Sequence, residues 1–193
     1  TTILTRRVAE VQAVKSLDTV KLISHLLDRH YGQQMADIWN VGLNLALRIS
    51  DLLSIRFSDI QAERLLLKEG KTGKVANIKL NQKTIEITNR IRRQYPDHTY
   101  LFQSYRNQRA GNMPPAPLSR RYVSRAFALI GEDVGISLGT HSMRKTRGYH
   151  LYKSTKDIGR VMKMLRHSSE GVTLRYIGIT QEDIDKDFVE LEI

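Results

Sequence analysis

Residues 63–80 read ERLLLKEGKTGKVANIKL, and this stretch decides the fold class. The runs ERLLLKE and VANIKL are short and rich in apolar residues, and between them lies Gly70-Lys71-Thr72-Gly73, a turn with two glycines. That pattern predicts two strands joined as a hairpin. No other stretch reads as clearly as a hairpin, and on both sides of it the hydrophobic period becomes helical. The expected class is α+β, mainly helical, with a small antiparallel sheet.

Toward the N-terminus, LDTVKLISHLLDRH (17–30) places Leu17, Val20, Ile23, Leu26 and Leu27 at helical spacing, with Ser16 or Asp18 as the cap. A second helix is predicted from about Gln33 to Leu47. Beyond Asn81, Ile85, Ile87 and Ile91 form an apolar stripe beside the basic end Arg90, Arg92 and Arg93. Residues 103–117, QSYRNQRAGNMPPAP, are turn formers and predict a loop. Ser119 caps a predicted helix to about Val134. Further helices are expected at 141–153, 157–166 and 172–177, with an amphipathic acidic tail at 181–191.

The chain has 193 residues, enough for one domain or a domain with a small appendage. Its 31 Lys and Arg against 20 Asp and Glu give a formal charge of +11. Residues 181–193 hold six acids and one base, so residues 1–180 carry 30 bases, 14 acids and +16. Such a field attracts DNA or RNA without reading its sequence. No apolar run approaches the ~18 residues of a membrane span, and the N-terminus lacks a signal-peptide core. A soluble, cytoplasmic protein is expected. The absence of cysteine excludes disulfides, thiolate zinc sites and cysteine nucleophiles.

Thr-His-Ser-Met-Arg (140–144) sets His141 and Arg144 three residues apart, on one face of a helix. An imidazole beside a guanidinium suits an anionic substrate that must exchange a proton, although alone such a pair is more often a solvated face. His167 and Tyr176 are nine residues apart, opposite faces of an unbroken helix. Ser168, Ser169 and Gly171 supply a break across which they can meet. Arg48 precedes Asp51 at i+3, a spacing for a local ion pair, and Lys71 stands at the hairpin tip. Taken singly, each has an ordinary structural explanation: a packing tyrosine, a helix-terminal histidine, a surface salt bridge, a solvated turn lysine.

Together they resemble one family. Arg48 with Ile49-Ser50-Asp51, Lys71 in Gly-Lys-Thr-Gly-Lys, His141-Ser-Met-Arg144, His167 in Leu-Arg-His-Ser-Ser, and Tyr176 look like the signature of tyrosine site-specific recombinases of the phage lambda integrase type. Order and intervals both match: 23 residues from arginine to lysine, 26 between the histidines, nine to the tyrosine. Five separated elements in register are far more specific than one short motif. Two departures stand out. Family members usually have glycine where this chain has Arg166, and the commoner glutamate is Asp51 here.

The resemblance implies the recombinase catalytic fold over residues 1–180, an acidic tail at 181–193 that is docked in cis or exchanged between protomers, and a separate N-terminal clamp domain absent from this chain. The Thr at position 1 fits a fragment or a processed product. It also implies double-stranded DNA as substrate, cut and rejoined through a 3′-phosphotyrosine at Tyr176, with Arg48, Arg144 and His167 on the phosphoryl oxygens, His141 as base or as the group orienting the phenol, and Lys71 as acid. Lys74, Arg120, Arg121, Lys145, Arg147 and Arg166 are the further basic residues expected against DNA, and Asp51 is expected to support Arg48. No cofactor or metal is implied. A homotetramer assembled on recombination sites, with DNA-bending accessory proteins, follows from the same resemblance. The rivals are type IB topoisomerase-like relaxation and a DNA-binding regulator on an inactive scaffold.

Overall fold

The computed structural model describes residues 10–106 and 113–193. The predicted loop at 103–117 falls partly outside them, at residues 107–112. The described residues form nine helices and one three-stranded sheet. Helix α1 (Leu17–Tyr31) is capped by Ser16, whose side chain accepts from Thr19 N–H, and α2 (Gln33–Leu45) follows across Gly32. A short α3 (Ile49–Ser54) and a 3₁₀ turn (Phe57–Asp59) lead to the sheet. Its strands β1 (Ile60–Gln61), β2 (Arg64–Lys68) and β3 (Val75–Lys79) are antiparallel in the order β1-β2-β3. Then come α4 (Gln82–Gln94), α5 (Arg120–Val134), α6 (Ser142–Thr155), α7 (Ile158–Leu165), α8 (Glu170–Ile177) and α9 (Gln181–Glu190).

The main core lies where α1, α2, α5 and α6 pack together. Trp39 on α2 is fully buried, its ring edge-on to Phe127 of α5 at 5.5 Å, and its indole N–H donates to the Val20 carbonyl. This satisfies the one polar atom of a large apolar side chain. In the sheet, Leu65 pairs with Ile78 and Leu67 with Ala76, so that Leu65 and Ala76 face the core while Leu66 and Val75 face out.

The sequence reading and the structure differ in four places. Helix α2 ends at Leu45 rather than Leu47, because Ala46 turns left-handed at φ 52° and Arg48 is extended. That break lets α3 start at Ile49, a helix of six residues that is too short to show a period. Strand β1 has two residues and shows no alternation for the same reason. In α4 the buried positions are Thr84, Thr88 and Ile91, while Ile85 and Ile87 are only partly covered.

A smaller core of Ala46, Val161, Leu165 and Ile177 lies under the C-terminal helices. Two glycines set how closely these layers approach. A Cβ on Gly42 of α2 would come within 2.2 Å of the Met143 sulfur, and one on Gly148 of α6 within 2.7 Å of Ile177 Cγ2. The first lets α6 seat against α2 and the second lets α8 seat against α6. Arg144 rides on the first contact and Tyr176 on the second.

Candidate active site

Arg144 is the buried centre of the site, 1% exposed. Its Nη1 donates to the Ala46 carbonyl at 2.8 Å and its Nη2 to the Leu165 carbonyl. Ala46 lies two residues before Arg48, and Leu165 two before His167. One guanidinium therefore pins the two backbone segments that carry the other candidates, 98 and 21 residues away in sequence.

Arg48 is held at the mouth of this centre, at the N-cap position of α3. Its partner is Glu69, at 2.6 Å from Nη1, instead of the nearby Asp51. Asp51 turns the other way: its Oδ1 accepts from the Gly70 N–H at 2.9 Å, and Oδ2 is buried without a partner. The local ion pair expected from the i+3 spacing is therefore replaced by a long-range one, and Asp51 anchors the hairpin. Glu69 had no signal in the sequence, being one charge in the alternation Lys68-Glu69.

At Arg166 the backbone takes the left-handed conformation (φ 56°) that glycine would favour, and it closes α7. The turn then brings His167 against Tyr176, ring centroids 5.1 Å apart and nearly perpendicular. The break read at Ser168 to Gly171 is present: Ser169 caps α8, which carries Tyr176. Nδ1 of His167 lies 3.1 Å from the Thr173 hydroxyl, which donates to the Ser169 carbonyl.

The Tyr176 hydroxyl is buried and has no well-formed hydrogen bond. Burial raises its pKa above 10, while the guanidinium groups of Arg144 and Arg48 nearby pull it back. His141, part-covered at the N-terminus of α6 with part of its surface in solvent, has its pKa lowered first by desolvation of its ring and then by Lys145, Arg120, Arg144 and Arg48. His167 is lowered to about 4, by burial and then by Arg144, Arg48, Arg166 and Lys74. The His167 imidazole is therefore neutral at pH 7, and the shift of His141 likewise favours its neutral form.

Lys71 stands exposed in the hairpin turn. Of the further basic residues, Arg120 and Arg121 are exposed on the first turn of α5, and Lys74 is exposed with its amine on the Arg166 carbonyl at 3.3 Å. Others turn inward. Lys145 donates to the Val11 carbonyl at 2.8 Å and stacks its amine 5.1 Å from the Tyr176 ring centroid. Arg166 gives its Nε to Glu69 and its Nη1 to the Met164 carbonyl, and Arg147 is half-buried in a pocket with Lys79 and Lys163. Among the described residues, no group of three His, Asp or Glu side chains is placed to hold a metal ion, and no helix is long and apolar enough to cross a membrane.

Two arginines, two histidines and a buried tyrosine thus converge from α3, α6, the α7–α8 turn and α8. The phage integrase family model matches residues 17–183, which spans all of them. The chain belongs to the phage integrase family. It is similar to the probable integrase/recombinase YoeC of Bacillus subtilis (strain 168), with 35% identity over 89% of this chain and 92% of that protein. It is also 30% identical to tyrosine recombinase XerA of Pyrococcus furiosus over 75% of this chain, but spans only 49% of that protein. Among solved structures, XerA recombinase superposes with a TM-score of 0.71 at 16% identity, over 94% of this chain and 64% of that one. A lambda integrase dimer bound to a core site gives 0.67 at 18% identity, over 90% and 62%. At those identities the structures show the fold, and that fold is the tyrosine recombinase catalytic domain. The activity class of this integrase-family chain is site-specific recombination, by an enzyme that cleaves and rejoins DNA.

Proposed function

We propose that Tyr176 is the nucleophile of this recombinase domain and that duplex DNA is its substrate. The observation that carries the reading is the Tyr176 hydroxyl, buried against the guanidinium of Arg144 with Arg48 nearby and making no well-formed hydrogen bond. A phosphodiester repels an incoming oxyanion, and negative charge grows on its non-bridging oxygens as the bond forms. Guanidinium groups already facing that point lower the barrier without moving. Arg48 and Arg144 are the clamp, joined by His167. The clamp supplies by itself the electrostatic stabilisation that a metal ion gives in other phosphoryl transfers.

In the cleavage step the Tyr176 oxygen attacks phosphorus, its proton passing to neutral His141. The bond from phosphorus to the 5′-oxygen breaks, and Lys71 gives that oxygen a proton. A 3′-phosphotyrosine and a 5′-hydroxyl remain. Attack by the 5′-hydroxyl of another strand reverses the step and joins the new partner. Arg120, Arg121 and Lys74 present exposed charge to the duplex, and Arg147 lies in a basic pocket with Lys79 and Lys163.

Residues 1–180 form the catalytic domain in this reading, and α9 with the residues after it is a docking tail. Phe188 is 80% exposed and Val189 76%, an apolar face unpartnered among the described residues that a second protomer can cover. Assembly as a tetramer on paired sites, with accessory DNA-bending proteins, is proposed on the same basis. The test is a duplex nicked next to the cleavage point, which loses a short 5′-hydroxyl fragment and leaves the protein trapped on DNA. Wild-type protein should be trapped and Tyr176→Phe should bind without trapping. Equal trapping of both would move the nucleophile, with Tyr149 and Tyr152 next in line.

A further inference from the structure

Glu69 directly follows β2 at the neck of the hairpin and is 1% exposed. A carboxylate withdrawn from water this far is stable only when fully paired. Its two oxygens go to different elements: Oε2 to Nη1 of Arg48 at 2.6 Å, Oε1 to Nε of Arg166. Arg48 and Arg166 repel one another, and Glu69 lies between them. The carbonyl of the same Arg166 accepts from Lys74 Nζ at 3.3 Å. The neck of the hairpin and its far side are thus both fastened to the turn that delivers His167, and Lys71 sits between the two fastenings.

The left-handed backbone at Arg166 explains why the fastening is notable. Glycine meets that conformation at no steric cost, whereas a side chain there is strained. What the arginine adds in exchange is its bond to Glu69 and a guanidinium anchored at Met164.

We propose that Glu69 is a positioning residue: through one oxygen it aims Arg48 at the scissile phosphate, and through Arg166 it fastens the Lys71 hairpin to the His167 turn. The inference rests on the roles proposed above for Arg48 and Lys71. It separates two variants. Arg166→Gly keeps the backbone conformation, the Glu69–Arg48 pair and the Lys74 bond to the carbonyl of residue 166, but removes the side-chain fastening between the neck of the hairpin and the His167 turn. Glu69→Gln keeps the shape and removes the charge that both arginines share.

Single-turnover cleavage is measured on the nicked duplex with either an ordinary bridging 5′-oxygen or a bridging 5′-sulfur, which leaves as a thiolate without needing a proton. Lys71→Ala is the control. Arg166→Gly should be slowed about 10-fold or more on the oxygen substrate, a part of the roughly 10² to 10⁴ that general acid assistance supplies. On sulfur it should approach wild type. Glu69→Gln should be slow on both, since the Arg48 contact is needed whatever the leaving group. DNA affinity should move only a few-fold, and thermal melts of both variants should stay cooperative. If Lys71→Ala recovers on sulfur and Arg166→Gly does not, or if either variant cleaves ordinary DNA at the wild-type rate, the positioning role is overturned. Should Lys71→Ala itself fail to recover, the acid assignment falls, and hydrogen exchange at Gly70–Lys74 then decides the fastening. Faster exchange in both variants supports it, and unchanged exchange removes it.

Discussion

The Nδ1 atom of His167 lies 3.1 Å from the hydroxyl of Thr173, and that hydroxyl spends its only proton on the Ser169 carbonyl at 2.7 Å. Thr173 can therefore only accept from His167, which places the imidazole proton on Nδ1 and leaves Nε2 a bare acceptor in the neutral ring. To donate to a phosphoryl oxygen through Nε2, His167 must take up a proton. Its pKa of about 4 lies below the 6.5 of a free histidine, so the imidazole is unprotonated at neutral pH. A bound phosphodiester raises that pKa. Duplex binding should therefore be accompanied by proton uptake, and affinity should rise as pH falls from 6.5 toward 4. Calorimetric titration in buffers of different ionisation enthalpy measures the uptake. It should vanish in His167→Gln, and equal uptake in the variant would reassign the proton.

The same depressed pKa affects folding with a definite sign. The unfolded chain binds a proton at His167 near pH 6.5, and the folded chain only near 4, so stability is present above 6.5 and is lost as pH falls through that window. Denaturant midpoints measured across this range should fall more steeply for wild type than for His167→Gln.

Tyr176→Phe removes one buried oxygen that makes no well-formed hydrogen bond. Because an unsatisfied buried hydroxyl costs about 1 to 3 kcal/mol of lost solvation, the variant should melt at the wild-type temperature or above it. A marked drop in melting temperature would mean that the hydroxyl is bonded in the folded protein.

Gly148→Ala puts a methyl 2.7 Å from Ile177 Cγ2 and 3.3 Å from Leu165 Cδ1. Overpacking of this kind costs about 1 to 3 kcal/mol. The neighbour of Ile177 is Tyr176, so the displacement should also slow cleavage, where a misplacement of about 1 Å is worth up to roughly 10² in rate. A variant less stable but equally fast would separate α8 packing from alignment.

Deleting residues 181–193 exposes little that is buried, since no residue of α9 is buried. Monomer stability should hardly change, while assembly on paired sites, followed by gel-filtration of the DNA complex, should weaken. Unchanged assembly and cleavage would end the docking role.

Much of the site was legible because its reactive groups are rare residue types at wide, fixed intervals, and the hairpin around Gly70 and Gly73 fixed where Lys71 stands. The helices capped by Ser16 and Ser119 were legible for the same local reason, whereas the Asn81 cap of α4 was not read. What escaped was set by contacts distant in sequence. Glu69 looks like any strand-end acid until the fold brings Arg48 and Arg166 to it. Gly42 and Gly148 look like weak points in helices until Met143 and Ile177 arrive. Arg166, Lys145 and Arg147 all read as free cations, yet burial turns the first two onto protein carbonyls and a carboxylate and half-covers the third.

The two carbonyl bonds of Arg144 have a consequence for synthesis. A chain leaving the ribosome presents Arg48 and Lys71 early, but the guanidinium at 144 cannot draw the parts together until Leu165 has emerged. The oxygen proposed to attack comes later still, at position 176. Unfinished or clipped products that end before α7 hold cations that cling to DNA but no means of cutting it. A nascent chain that stops before position 176 therefore lacks the proposed nucleophile, whatever cations it holds.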